Sequence, residues 1–127
     1  MSVKLLCVVS DLHCGSDVGL APPETKTESG NVIGFGDNIH QEWLWNHWVE
    51  GIKRVRAICG TDKAILIVNG DATEGVHHRN EASLIAALID THVNMAAQCL
   101  KLFKGVCNKM VVVKGTECQV VGYIDFK

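Results

Sequence analysis

Apolar residues fall along the chain in two rhythms, and the alternation between them outlines a fold. Residues 3–9 form a nearly unbroken apolar run that stops at the polar pair Ser10-Asp11. Such a run predicts a strand buried on both faces, at the centre of a sheet. Similar runs occupy residues 64–68, ending in Asn69-Gly70-Asp71, and 110–113, ending in Lys114-Gly115-Thr116-Glu117. Between the first two, residues 40–58 place Leu44, Trp45, Trp48, Val49, Ile52 and Val55 three and four positions apart, with Glu42, Asn46, Lys53 and Arg54 between them. This spacing predicts an amphipathic helix entered through Asp37 or Asn38 and ended near Gly60. Residues 81–104 carry Leu84, Leu88, Ala96, Leu100 and Phe103 on a second stripe, with Asn80 placed as its N-cap.

Strand, helix, strand, helix, strand is the order of an α/β domain with a mostly parallel sheet. In such domains crossovers are right-handed and ligands gather at the carboxyl ends of the strands. The three polar, glycine-containing turns are therefore expected along one edge of the sheet. Residues 16–38 break the pattern: they hold both prolines, Pro22 and Pro23, several glycines and no sustained period. A segment of that length is expected to be a functional lid or an irregular excursion.

Composition narrows the classes. A length of 127 residues, 47% of them hydrophobic and 20% charged, corresponds to one globular domain with enough apolar side chains to fill a core. The net charge of -2 excludes a general basic excess that would steer the chain toward nucleic acid or anionic lipid, leaving only the local group Lys53, Arg54 and Arg56. Residues 5–9 are too few for a signal-peptide core, and nothing approaches the ~20 apolar residues of a membrane helix. A soluble, cytoplasmic protein is the expectation. The six cysteines, at 7, 14, 59, 99, 107 and 118, contain no Cys-x-x-Cys pair and are read as reduced, mostly buried thiols.

The candidate chemistry lies in the turns. Asp11 and His13 stand two apart just past the first strand, and in extended backbone both would project to one side and share a divalent ion. Asp-x-His alone is a common pattern, equally met as a turn-capping Asp beside a surface His. Asp71 closes the second strand after Gly70, which permits a sharp turn. If the two strands are neighbours, Asp71 faces Asp11, and two converging carboxylates repel unless a cation lies between them. His40, His47 and His92 fall on the expected helices and are read as core-edge or surface residues. Cys14 is read as a small buried thiol, and Trp43, Trp45 and Trp48 as packing the first helix on the sheet.

Taken together, Asp11-x-His13, Gly70-Asp71 after a helical crossover and the Gly115 turn resemble the first three motifs of the calcineurin-like metallophosphoesterase superfamily. They are similar in particular to its phage and prophage proteins, through Cys14-Gly15-Ser16, Glu74 with His77 and His78, Gly115-Thr116-Glu117 and the Trp-rich helix. The resemblance implies the N-terminal portion of an α/β/β/α sandwich, in a single domain over residues 1–127. It also implies one or two divalent ions (Mn, Fe or Zn), bound by Asp11 and His13 with Asp71 as the bridge. Two ions about 3.5–4 Å apart would clamp the phosphoryl oxygens, and a metal-bound hydroxide would hydrolyse a phosphomonoester or phosphodiester. Glu74, His78 and Glu117 are carried as further ligand candidates, with Glu117 at the floor of the site.

Several departures accompany the likeness. The chain has no histidine after His92, Thr116 and Glu117 stand where relatives supply Asn and His, and Gln119 stands where the phage proteins often have His. The chain ends ten residues after Glu117, so a truncated domain lacking the C-terminal half and its second sheet is expected. A second class of function follows from that: a non-catalytic, phosphoesterase-like module that binds a partner or a second copy of itself through uncovered apolar sheet. A nucleic-acid module on Lys53, Arg54 and Arg56 is a third, disfavoured by the acidic balance.

Overall fold

The computed structural model describes residues 5–76 and 81–115. Strand β1 (Leu6–Val9) leads through an irregular segment containing the short strands β2 (Thr25–Lys26) and β3 (Val32–Ile33) to helix α1 (Ile39–Cys59). Strand β4 (Ala64–Asn69), a single 3-10 turn (Glu81–Ser83), helix α2 (Ile89–Lys101) and strand β5 (Cys107–Val113) follow. β1, β4 and β5 form a three-stranded sheet in that order, both pairings parallel, and β2 pairs antiparallel with β3. The fold is α/β with a parallel sheet, as the order of apolar runs predicts.

Each crossover steps the same way across the sheet, so crossovers of one hand place both helices on one face. Ala64, Leu66 and Val68 of β4 are fully buried on that face with Ile52 and Cys59 of α1 and Met95, Cys99 and Leu100 of α2. Trp48 ties the helices together: its indole N–H donates to the Cys99 carbonyl at 3.0 Å and its ring meets Phe103 edge-on.

The first strand departs from expectation. β4, not β1, is the central strand among the described residues, and β1 is half-buried through Cys7 and Val9 on one face, with Leu6 58% and Val8 59% exposed on the other. With both helices on one side, the alternate side chains of every strand face away from them. Val111 and Val113 of β5 are exposed in the same way.

The first helix begins and ends as its sequence signals say. The Asn38 side chain accepts from the backbone N–H of His40 and Gln41, and Gly60 closes the helix with φ 60°. Trp45 and Trp48 pack against the core, whereas Trp43 is exposed and stacks on His47 instead of on the sheet. The second helix starts eight residues later than its stripe predicts and has no side-chain cap. Residues 84 and 85 are taken by another partner: Leu84 bridges to Ser16, and the Ile85 N–H donates to the Gly15 carbonyl at 2.8 Å. Leu88 is consequently exposed, and Asn80 lies outside the described residues. No helix among the described residues is long and apolar enough to cross a membrane.

Candidate metal centre

The β1–β4 ladder does not stop where the strands stop. Asp11 N–H donates to the Gly70 carbonyl at 3.2 Å, His13 N–H to that of Asp71 at 2.9 Å, Cys14 N–H to that of Ala72 at 3.1 Å and Glu74 N–H back to Cys14 at 2.9 Å. Cys14 pairs with Thr73 at the same residue offset that sets Leu6 opposite Ile65. Two loops that look independent in the sequence are thus zipped together, and this places Asp11 beside Asp71.

Asp11, His13 and Asp71 have positive φ angles of 55°, 46° and 51°, the non-glycine residues of the described chain to do so. The left-handed region costs an L-residue roughly 1–2 kcal/mol, least for Asp, Asn and His. Such strain persists where the surrounding bonds over-determine it, and here the ladder does so. The backbone between Asp11 and His13 is not extended, as their spacing suggests, but turns through the left-handed region at each residue. One ligand atom from each of the three lies within 4.8 Å of the others.

His13 is held at both nitrogens. Nδ1 lies 2.9 Å from Glu74 Oε2 and Nε2 lies 3.5 Å from Asp11 Oδ1. A carboxylate only accepts, so Nδ1–H donates to Glu74, and this leaves Nε2, facing Asp11 at 3.5 Å, as the nitrogen that an ion between the two would take. Glu74 therefore lies behind the imidazole and outside the three-residue cluster. Of the other ligand candidates, His78 and Glu117 lie outside the described residues, as do His77 and Thr116.

Glycines make the space. A Cβ at Gly115 would overlap Asp71 Oδ1, so the turn after β5 packs directly on this carboxylate. A Cβ at Gly15, where φ is 106°, would strike the His92 ring. His92 is fully buried instead of lying at the core edge or surface, and its Nε2–H donates to the Ala86 carbonyl at 2.6 Å. His40 and His47 are exposed, as expected.

A clamp on residues 16–19, which the motifs do not point to, borders the cluster. Buried Gln41 donates through Nε2 to the carbonyls of Ser16 at 2.8 Å and Gly19 at 2.9 Å, and Asn38 Nδ2 donates to that of Asp17 at 2.8 Å. A polar residue on the apolar side of the helix, one turn past its cap, was the available signal. These bonds fix one wall of an open cleft of about 810 Å³ that contains Asp11, His13 and Glu74. Cys14 is fully buried and hydrogen-bonds Cys99, which together with burial raises the Cys99 thiol well above its usual value. Burial also pushes the Cys7 thiol up, and that of Cys107 to about 11.

The donor set is two carboxylates and one imidazole. Ligands 2.0–2.2 Å from one ion lie at most about 4.4 Å apart, and a tetrahedral edge is about 3.4 Å. The 3.5 Å from His13 Nε2 to Asp11 Oδ1 fits that edge, whereas the 4.8 Å span of the cluster is wider than one ion bridges, so the three side chains would have to draw in around it. Mixed oxygen and nitrogen donors suit Mn, Fe or Zn. Comparison of the chain with protein-family models, with curated proteins and with solved structures gives no match.

Proposed function

We propose that this chain is a metal-dependent phosphoesterase domain of the calcineurin-like type, with Asp11, His13 and Asp71 holding a divalent ion (Mn, Fe or Zn). The supporting observation is the convergence of three strained residues from two strand ends on one point, with their ligand atoms within 4.8 Å. An ion held there supplies a Lewis acid for a phosphoryl oxygen and lowers the pKa of a water nucleophile toward about 7. Asp11 and Asp71 contribute the negative charge that binds the cation, and its presence relieves their mutual repulsion. Glu74 fixes the His13 tautomer, and the glycine at 115 lets Asp71 take its place against the third strand. The open cleft beside Asp11 and His13 gives a phosphoester access to these groups.

Calorimetric titration with Mn²⁺ and Zn²⁺, beside the Asp11→Asn and Asp71→Asn variants, tests the proposal together with hydrolysis of a phosphodiester. Binding and turnover that both disappear in the variants support it. Unchanged metal affinity in Asp71→Asn would sink it.

A second reading rests on a different observation, the exposed apolar face formed by Leu6, Val8, Val111 and Val113. A surface of this kind suits a second copy of the chain or a partner domain, so the chain would act as a binding module. Sedimentation of a concentration-independent monomer, with no dye binding to the apolar face, argues against that reading.

A further inference from the structure

The cleft is much larger than an ion and a phosphate require. At about 810 Å³ it falls within the roughly 300–1,000 Å³ range of sites that enclose drug-sized ligands. Asp11 and His13 occupy its polar part, and Leu44 and Trp48 of α1 face it together with Leu12 and Leu20 from the loop after β1. Trp48 has already spent its N–H on the Cys99 carbonyl, so it offers the cleft apolar ring carbon. At the rim, Val18 is 75% exposed. His47 lies there too, held by its Nδ1 on the Trp43 carbonyl and by stacking on the Trp43 ring at 3.8 Å.

A bare phosphate or a short alkyl phosphate would leave this wall in water. We infer that the cleft selects phosphoesters carrying one planar, aromatic-sized group, with the phosphoryl end at Asp11 and His13 and the ring against Leu44 and Trp48. This deepens the metal-centre reading and rests on it. The driving force is burial of apolar surface on both partners, about 25 cal/mol per Å², and the cation at the other end sets the orientation of the anion.

Phenylphosphonate and methylphosphonate share a non-hydrolysable head group and differ in the ring alone, so binding can be read without turnover. Zn²⁺ is titrated first into the full chain, and each phosphonate is then titrated calorimetrically into the Zn²⁺-loaded protein. Phenylphosphonate is expected to bind at least about tenfold more tightly, as burial of one ring implies. Leu44→Ala, and Val18→Asn at an exposed position where folding is not at risk, should each cut that advantage about threefold or more. Methylphosphonate affinity should stay within about twofold in both variants. Equal affinity for the two phosphonates, or an advantage untouched by both substitutions, overturns the inference while the metal centre stands. Failure of Zn²⁺ to bind in the first titration overturns the metal centre itself and this inference with it.

Discussion

Glu74 grips His13 from behind: its Oε2 lies 2.9 Å from Nδ1, and this bond directs Nε2 of the same ring toward Asp11. A carboxylate on the far nitrogen of a ligating imidazole fixes the ring's orientation and raises its basicity. Glu74→Ala is therefore expected to weaken Zn²⁺ binding about 10–100-fold while leaving the far-ultraviolet circular dichroism unchanged. Affinity equal to that of the unaltered chain would show that Glu74 has no part in orienting His13.

Ion binding should be visible as stability. A ligand that binds only the native state adds about 2.7 kcal/mol at a hundredfold excess over its Kd. Thermal unfolding with and without Zn²⁺ should show an increase in Tm of several degrees, absent in Asp11→Asn. A shift that survives in Asp11→Asn would place the ion elsewhere.

Gly115→Ala drives a methyl group into Asp71 Oδ1 and the Asp71 backbone nitrogen. Overpacking of this kind costs about 1–3 kcal/mol, and because the methyl also meets the Asp71 backbone nitrogen, relief has to move the whole residue relative to the other two ligands or displace the turn. The variant should lose both denaturant stability and metal affinity. Loss of stability alone would mean that the turn after β5 yields and leaves the carboxylate in place.

Gly15→Ala combines a left-handed backbone with contact against the buried His92 ring, for about 2–5 kcal/mol of destabilisation. Much of this belongs to one contact, so His92→Ala should recover part of it in the double variant. A double-mutant cycle with a coupling energy near zero would show that backbone strain accounts for the whole effect.

The buried thiols give the fold an alkaline limit. Burial raises the Cys107 thiol from its ordinary 9.0 to about 11, so between those values the folded chain holds a proton that the unfolded chain has released. Stability is complete below pH 9 and falls as pH rises through about 11. Denaturant midpoints across that range should decline, and Cys107→Ala should flatten the decline.

Much of this was legible in one dimension. The apolar runs at 64–68 and 110–113 became β4 and β5, Asn38 and Gly60 bounded α1, and Asp11, His13 and Asp71 were nameable because each stands just past an apolar run. Those features are local: burial of a strand, an N-cap and a polar turn leave their mark within a few residues. What tertiary structure alone decided involves partners distant in sequence. Leu84 belongs to a helical stripe by spacing, yet its bridge to Ser16 and the bond from the neighbouring Ile85 to Gly15 hold this stretch outside α2. Asp11 and His13 read as extended, yet the continued ladder to residues 70–74 turns them left-handed and brings Asp71 into the same cluster. Glu74 reads as one more ligand, and only the meeting of two loops places it behind His13. A strand's own residues state that it is a strand. Which side it shows to the helices, and which carboxylate it sets beside another, is decided by pairing across the sheet.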